Sequence, residues 1–213
     1  MSLTAGHGIG TAEPARWREL SAALAEAFHD DPVFSWLLPD AATRTAALRR
    51  FFAIETRHIA LRHRQSTTTA GTGEVAGAAL ILPPGQWRTP VRVQALHAPG
   101  YQRAFGRQLP RALGTLTILE RRHPRHQHYY LAYIGVRPAA QGRGLGTALL
   151  QPLVERCDRE QLPAYLEASS PDNARLYRRL GFTTREIIRP LGSPPIELMI
   201  RNPGTATAPP ASA

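Results

Sequence analysis

The chain has 213 residues and a formal net charge of +10, and all 26 of its basic residues are arginine. This length predicts one domain with a full hydrophobic core, and the exclusive use of arginine indicates a GC-rich bacterial genome. No basic stretch alternates with aromatic residues as a nucleic-acid stacking surface requires. Neither a signal peptide nor an apolar run of membrane-spanning length is visible. The single Cys157 excludes an intramolecular disulfide and fits a reducing cytoplasm.

The first half of the chain predicts helices around one hairpin. Residues 14–28 form a helix with one apolar stripe, and Asp30-Asp31-Pro32 ends it. A second helix begins near Asp40, which caps it. Its inward residues are Leu48, Phe51, Phe52 and Ile59. Residues 66–70 and 74–82 predict a β-hairpin joined by residues 71–73. Residues 91–122 form one or two helices that break near Pro99-Gly100 and Pro110.

The second half predicts alternating strands and helices. Strands are expected at residues 129–136 and 163–168, and residues 182–189 and 195–201 form an antiparallel pair. Helices are expected from the loop after residue 140 to Gln161, with a bend at Pro152, and from residue 171 to 180. Residues 1–201 therefore form a single domain, and the Pro/Ala/Thr-rich residues 202–213 form a disordered tail.

The basic connector at residues 121–128 contains three histidines and several arginines. A solvated connector is the favoured interpretation of this run. Metal binding by His123, His126 and His128 is the alternative, but no carboxylate or cysteine completes the set and the arginines repel cations.

A glycine-rich loop joins the strand at 129–136 to the next helix. Its glycines are Gly142, Gly144 and Gly146, and they leave backbone N–H groups accessible at the positive end of a helix dipole. This junction predicts a phosphate site. A Walker A loop is excluded because Gly146 is followed by Thr147 and Ala148 instead of Lys-Ser/Thr. A dinucleotide fingerprint is excluded because Thr147 stands at its third glycine position.

The remaining pattern, Gln141-x-x-Gly144-x-Gly146, resembles the acetyl-CoA pyrophosphate loop of the GCN5-related N-acetyltransferase (GNAT) superfamily. Downstream, Leu166-Glu167-x-Ser169 followed by an Asn, a Tyr and Gly-Phe is similar to the puromycin N-acetyltransferase branch. The resemblance covers residues 128–182. It implies an α/β (α+β) GNAT fold: a mixed, mostly antiparallel twisted sheet of about six to seven strands with helices on both faces and a splayed central strand pair.

The resemblance also implies which residues hold acetyl-CoA, the co-substrate, with no metal required. The pantetheine arm would pair with the strand edge near residues 134–136, where Gly135 would permit a bulge. The implied cofactor-binding residues are Ile134, Gly135, Val136, Gln141, Gly142, Arg143, Gly144, Leu145, Gly146, Thr147 and Asn173.

Two residues are candidates for proton transfer. Tyr177 matches the family tyrosine that approaches the sulfur, and it is the candidate general acid; an amphipathic core tyrosine is the alternative. Many family members carry a glutamate on the strand before the loop, but this chain has only tyrosines there. Glu167 is the substitute base, and it faces away from Leu166 and Ala168. Because a carboxylate on a buried strand is costly without a partner, a structural role is equally open for Glu167.

The amine acceptor is expected to meet the first two helices. Asp30, Asp31 and Glu55 would attract a cation, and Phe34 and Trp36 would line an apolar pocket, although each also suits a cap or core position. The predicted reaction is acetyl transfer to a primary amine of a small molecule in a ternary complex. Acetylation of protein N-termini or lysines and non-catalytic acyl-CoA binding are the alternatives. The expected protein is a cytoplasmic monomer or homodimer that binds neither nucleic acid nor membrane.

Overall fold

A seven-stranded sheet organises the fold of the computed structural model, which describes residues 8–69 and 73–205. The strands are β1 (Ile9–Thr11), β2 (Thr67–Thr69), β3 (Gly77–Leu82), β4 (Tyr129–Val136), β5 (Ala164–Ala168), β6 (Thr183–Ile188) and β7 (Ile196–Arg201). Their order is β1-β2-β3-β4-β5-β7-β6. Among the described strands, β4 and β5 form the one parallel pair, and every other pair is antiparallel. The predicted mixed, mostly antiparallel sheet is confirmed.

Seven α-helices are described in the same residues. They are α1 (Trp17–Ala27), α2 (Pro32–Leu37), α3 (Ala41–Ile54), α4 (Val91–Phe105), α5 (Leu109–Arg122), α6 (Leu145–Glu160) and α7 (Pro171–Arg179). Polar side chains cap three of them: Asp31 accepts from the first turn of α2, Asp40 from that of α3 and Ser170 from that of α7. A π-helical turn, Glu55–Ala60, continues α3.

The period-two alternation of β3 divides the core into two layers. Ala78, Leu80 and Leu82 pack on one face with α1 and α3, whereas Ala79 and Ile81 pack on the other face with α6 and α7. All five side chains are buried. The predicted helices on both faces are therefore confirmed. The residues predicted to point inward from the second helix are also buried: Leu48, Phe51, Phe52 and Ile59.

Two features of the helices differ from the prediction. Asp30-Asp31-Pro32 ends α1 as expected, but Asp31 and Pro32 at once start α2, a helix that was not predicted. No break occurs near Pro99-Gly100: α4 continues to Phe105 and ends at Gly106, whose φ is +51°, close to the second break predicted near Pro110. The lack of a side chain at Gly100 allows close packing, since a Cβ there would lie 2.7 Å from Ile54 Cδ1.

The connector between α5 and β4 is not a solvated one, so that interpretation was wrong. His123 and His128 are buried, with 7% and 1% exposure, because they pack against aromatic rings of the sheet. The arginines, His126 and Gln127 of this run face solvent.

The chain end was predicted to be disordered from residue 202. Residues 202–205 instead form a turn, in which the Gly204 N–H donates to Asp158 and Arg201 donates to the Thr205 carbonyl. Residues 206–213 lie outside the described residues, as do residues 70–72, which include most of the predicted hairpin turn. Within the described ranges, no helix is both long enough and apolar enough to cross a membrane.

Candidate active site

Strands β4 and β5 separate at the centre of the sheet. Their parallel register covers three residue pairs and ends at Leu131 and Leu166. The rest of β4, residues 132–136, has no partner in β5, and residues 133–136 pair with β3 on the other side. A backbone edge that includes Ile134, Gly135 and Val136 therefore borders an open wedge. The splayed central pair expected from the resemblance is confirmed by this register.

A bulge lies in β4, but not at Gly135 as predicted. The register with β3 shifts where Leu80 pairs with Tyr133 and Ile81 with Leu131, so Ala132 is the extra residue. Gly135 serves close packing instead, because a Cβ there would lie 2.6 Å from Ala27 Cβ of α1. The bulge places Ala132 and Tyr133 on the same face of the sheet as α1 and α3.

The glycine-rich loop adjoins the end of β4. Gly142 and Gly144 have φ angles of +76° and +75°, and open space surrounds the position of a Cβ on each. Gly144 directly precedes α6, and the buried Leu145 anchors the first turn of that helix. The side-chain amide of Gln141 donates to the Val136 carbonyl over 3.0 Å, which fixes the loop to the strand. The residues from Gln141 to Gly144 are exposed, as is Thr147.

These features fit acetyl-CoA. The N–H groups of the first turn of α6 have no carbonyl partner within the helix. Gly142 and Gly144, which have positive φ angles, carry no side chain that could cover these N–H groups. Exposed Arg143 adds a positive charge in the same loop. The part of β4 beyond Leu131 has no partner in β5, and its backbone groups could pair with an extended chain such as a pantetheine arm.

A cavity of about 560 Å³ opens beside the same wedge. Aromatic side chains from α1, α2, α3, α4 and β4 form much of its wall: Phe28, Phe34, Phe51, Tyr101, Phe105, Tyr130 and Tyr133. Its acidic residues are Asp31, Glu55, Glu120 and Glu167, and none of its described lining residues is Arg or His. In a chain of net charge +10, this is an acidic and apolar interior suited to a cation with an apolar body.

Helix α7 brings Asn173 and Tyr177 to the cavity wall. The Tyr177 ring is 5% exposed and packs at a centroid distance of 6.0 Å from Phe182. Burial, assisted by the nearby charge of Asp31, raises the pKa of Tyr177. The phenol is therefore protonated at neutral pH and is available as a proton donor. The Asn173 amide lies 3.5 Å from the Ser169 hydroxyl, which also lines the cavity.

Asp31 is also at this wall, and it already has three hydrogen-bond donors. It accepts from the backbone N–H groups of Val33 and Phe34, each over 3.0 Å, and from the Ser169 hydroxyl. Burial nevertheless raises the pKa of Asp31. Asp31 therefore connects the start of α2 to the end of β5, close to the predicted acid.

Glu167 points into the cavity from β5, on the sheet face opposite Leu166 and Ala168, and its side chain is 10% exposed. Burial, together with the Glu167 charge, raises the pKa of both neighbouring phenols, Tyr130 and Tyr165. A buried carboxylate thus has polar neighbours and access to the cavity. The predicted alternation of side chains between the two faces of this strand is confirmed.

Sequence reasoning missed two residues beside Glu167. His123 Nδ1 lies 3.6 Å from Glu167 Oε1, and its ring stacks on Trp87 with centroids 3.8 Å apart. No local pattern singles out Trp87. His123 stood in a run of arginines that predicted exposure, and the one hint against exposure was the density of histidines in that run.

Two of the residues proposed to meet an amine lie elsewhere. The Asp30 side chain is 91% exposed, and Trp36 packs under the guanidinium of Arg111, 4.6 Å from its ring centroid. Neither lines the cavity, whereas Asp31, Glu55 and Phe34 do. In the described part of the chain, no group of three or more His, Cys, Asp or Glu side chains is arranged to hold a metal ion.

The chain is similar to several known proteins. It is 29% identical over 205 residues to an uncharacterized N-acetyltransferase of Schizosaccharomyces pombe, covering 89% of this chain and 81% of that protein. It is 37% identical over 109 residues to a GCN5-like protein acetyltransferase of Mycobacterium tuberculosis, covering 50% of this chain and 45% of the relative.

A solved structure from Corynebacterium glutamicum, titled histone acetyltransferase HPA2 and related acetyltransferase, has the same fold. The two structures superpose with a TM-score of 0.68 at 26% identity, covering 96% of this chain and 98% of the other. The model of the acetyltransferase (GNAT) family matches residues 21–182, which include the wedge, the glycine loop and α7. This match spans well over half of the sequence, and the chain belongs to the GNAT acetyltransferase family.

Proposed function

We propose that this transferase moves an acetyl group from acetyl-CoA to the primary amine of a small, largely apolar cation. This proposal rests mainly on the position of two binding features next to each other. The free edge of β4 joins the glycine loop at Gly142 to a 560 Å³ cavity whose wall is aromatic and acidic. Such a site suits one anionic and one cationic reactant that meet at the wedge.

Acetyl-CoA, when bound, supplies the acetyl group as a thioester. The loop from Gln141 to Thr147 would hold its diphosphate, with Gly142 and Gly144 at the closest approach, and the β4 edge would align the pantetheine arm. Burial raises the pKa of the Cys157 thiol to about 12. The chain therefore offers no thiolate there for a covalent acetyl-enzyme, which supports direct attack in a ternary complex.

The loop offers a matched test. Gly142 and Gly192 have nearly equal φ angles, +76° and +78°, and nothing lies within 4 Å of a Cβ at either position. Alanine at both should strain the backbone equally. We expect Gly142→Ala to weaken acetyl-CoA binding by about tenfold or more in calorimetry, and Gly192→Ala to leave it unchanged. Equal affinities for the two variants would remove the loop from the binding site.

Tyr177 would protonate the leaving sulfur. Its buried, protonated phenol and its place on the cavity wall support this role. Tyr177→Phe should lower kcat by about tenfold or more, about 1.4 kcal/mol, without weakening acetyl-CoA binding. An unchanged kcat would mean that Tyr177 is not required as the acid.

The acceptor is best found by measuring free-thiol release from acetyl-CoA against a panel of primary amines. We expect cations with an apolar or aromatic body to react and strongly anionic amines to fail. Peptides with free N-termini or lysines belong in the panel, because two similar proteins carry protein-acetyltransferase names. Acetyl-CoA binding without any thiol release would favour a non-catalytic acyl-CoA-binding protein.

We infer a cytoplasmic monomer or homodimer of bacterial origin that works without nucleic acid or membrane. The reduced, buried Cys157 supports the reducing compartment. Size-exclusion chromatography with light scattering measures the oligomeric state directly.

A further inference from the structure

Two buried histidines, linked by a hydrogen bond, lie next to Glu167. His123 Nε2 lies 2.9 Å from His128 Nε2, and His128 Nδ1 lies 2.6 Å from the His126 carbonyl oxygen. His123 and His128 are both buried, and His126 stands at the surface. The two histidines therefore link the neighbourhood of the cavity carboxylate to the surface of the connector.

The chemistry of these partners fixes where the protons lie. A carbonyl oxygen only accepts, so His128 Nδ1 carries a hydrogen. Burial lowers the pKa of His128 to about 4, so its ring is neutral and its Nε2 is an acceptor. His123 must then donate from Nε2. The Nδ1 atom of a neutral His123 therefore presents a lone pair toward Glu167.

We propose that Glu167 and His123 together accept the proton that the substrate ammonium must lose before it can attack. This inference rests on the proposed function. Glu167 reaches the cavity and would touch the amine, whereas His123 acts through it as a positioning residue. Their 3.6 Å separation is longer than a hydrogen bond and would shorten when a proton lies between them.

The protons of this reaction balance. An ammonium substrate brings three N–H protons: one passes to Glu167 and on to His123 Nδ1, and one remains on the product amide nitrogen. The last replaces the proton that Tyr177 gives to the leaving sulfur. The N–C bond forms as the C–S bond breaks, and the proton on His123 returns to solvent before the next turnover.

The surroundings favour a charge at this pair. The Trp87 indole stacks on the His123 ring and offers its π-face to an imidazolium there, and the guanidinium of Arg88 lies 4.7 Å from the centroid of the same indole. Tyr130 from β4 and Tyr165 from β5 face the carboxylate and stay neutral because burial raises the pKa of both. From α5, Glu120 adds a negative charge to the same cavity. Other ionisable groups near the pair include His128, which is neutral, and Tyr133, which burial keeps protonated. The charges of Arg185 and Glu186 act on Tyr165.

The arrangement of protons is testable without activity. In the intact protein with nitrogen-15-labelled histidine, we expect a neutral Nδ1–H form for His128 and a hydrogen on Nε2 of His123 in long-range ¹H–¹⁵N spectra. Glu167→Gln should change the His123 Nδ1 signal and leave His97, which stacks on His58 outside the cavity, unchanged. A His123 ring protonated on Nδ1 alone, or one insensitive to Glu167→Gln, would overturn the proposal.

Kinetics separate proton removal from mere support of the fold. The probes are 2-phenylethylamine and its β,β-difluoro analogue, whose ammonium loses its proton far more readily. His123→Gln should lower kcat/KM for the first amine by about tenfold and Glu167→Gln by about 100-fold. Both losses should largely vanish with the difluoro amine, and His97→Gln should lower neither rate.

Equal losses with both amines would mean a structural role and would overturn the inference. If His123→Gln does not fold, Glu167→Gln and the wild-type spectra still decide the question. If the wild-type protein acetylates neither probe, the proposed substrate class fails, while the spectra still test the pairing of Glu167 with His123.

Discussion

Glu55 carries a buried carboxyl in a largely apolar part of the cavity wall. Tyr101 donates a hydrogen bond to its Oε1 over 2.8 Å. Burial raises the pKa of Glu55 from 4.5 to about 7, and the bond from Tyr101 opposes part of that rise. Replacement by glutamine keeps the size of the side chain and its acceptor oxygen, while it removes the titrating proton.

The sign of the pH effect follows from this raised pKa. The folded protein holds the Glu55 proton more tightly than the unfolded chain does, so the stabilisation is complete below pH 4.5 and is lost as pH rises through 7. Each pK unit corresponds to about 1.4 kcal/mol. The rise to about 7 therefore costs the folded protein about 3 kcal/mol at alkaline pH, and Glu55→Gln should not carry this cost.

Urea unfolding from about pH 5 to about pH 8 measures the difference. The difference in free energy of unfolding between Glu55→Gln and the wild type should increase by up to about 3 kcal/mol in favour of the variant as pH rises. Tyr101→Phe should move the midpoint of the wild-type change to higher pH, because it removes the bond that favours the carboxylate. Parallel pH curves for wild type and Glu55→Gln would refute the reasoning, since they would mean that folding does not perturb this carboxyl.

Two further predictions concern packing and charge. Gly135→Ala should destabilise the protein by about 1–3 kcal/mol in urea unfolding, because its Cβ would lie 2.6 Å from that of Ala27. Adding Ala27→Gly should recover much of this, and no recovery would contradict the assigned clash. Asp158→Asn should cost about 2 kcal/mol, because it leaves the buried Arg201 guanidinium without the carboxylate it now contacts at 2.7 and 2.8 Å. Asp172→Asn, at an exposed site, should change stability by less than about 0.5 kcal/mol, and an equal loss there would contradict the argument.

Local sequence patterns were enough for most of the sheet and for the loop. The apolar strand 129–136 and the glycines after it are contiguous, so their order along the chain already specifies a strand, a turn and a helix N-terminus. The alternation around Glu167 likewise gave its face correctly, because a strand fixes side-chain direction every second residue.

Features set by distant contacts could not be predicted. A glycine within a strand can mark either a bulge or a site of close packing, so the sequence alone could not decide between them for Gly135. The position of Ala27 on α1 shows that Gly135 is a site of close packing. His123 was assigned to solvent because its neighbours in sequence are arginines. Its burial depends on Trp87 and Glu167, which come from other strands and loops.

The distribution of charge connects the two halves of the proposed site. A chain of formal net charge +10 attracts a polyanionic coenzyme, and the same field repels a cationic amine. The carboxyl groups of Asp31, Glu55, Glu120 and Glu167 line the interior, where largely apolar walls make a charge interact more strongly than at the surface. An amine is therefore favoured only inside the cavity, next to the wedge where the thioester would lie. Removing a proton from that amine also removes its attraction to the acids, so a base at the cavity wall must hold the proton close by, as Glu167 with His123 behind it is placed to do.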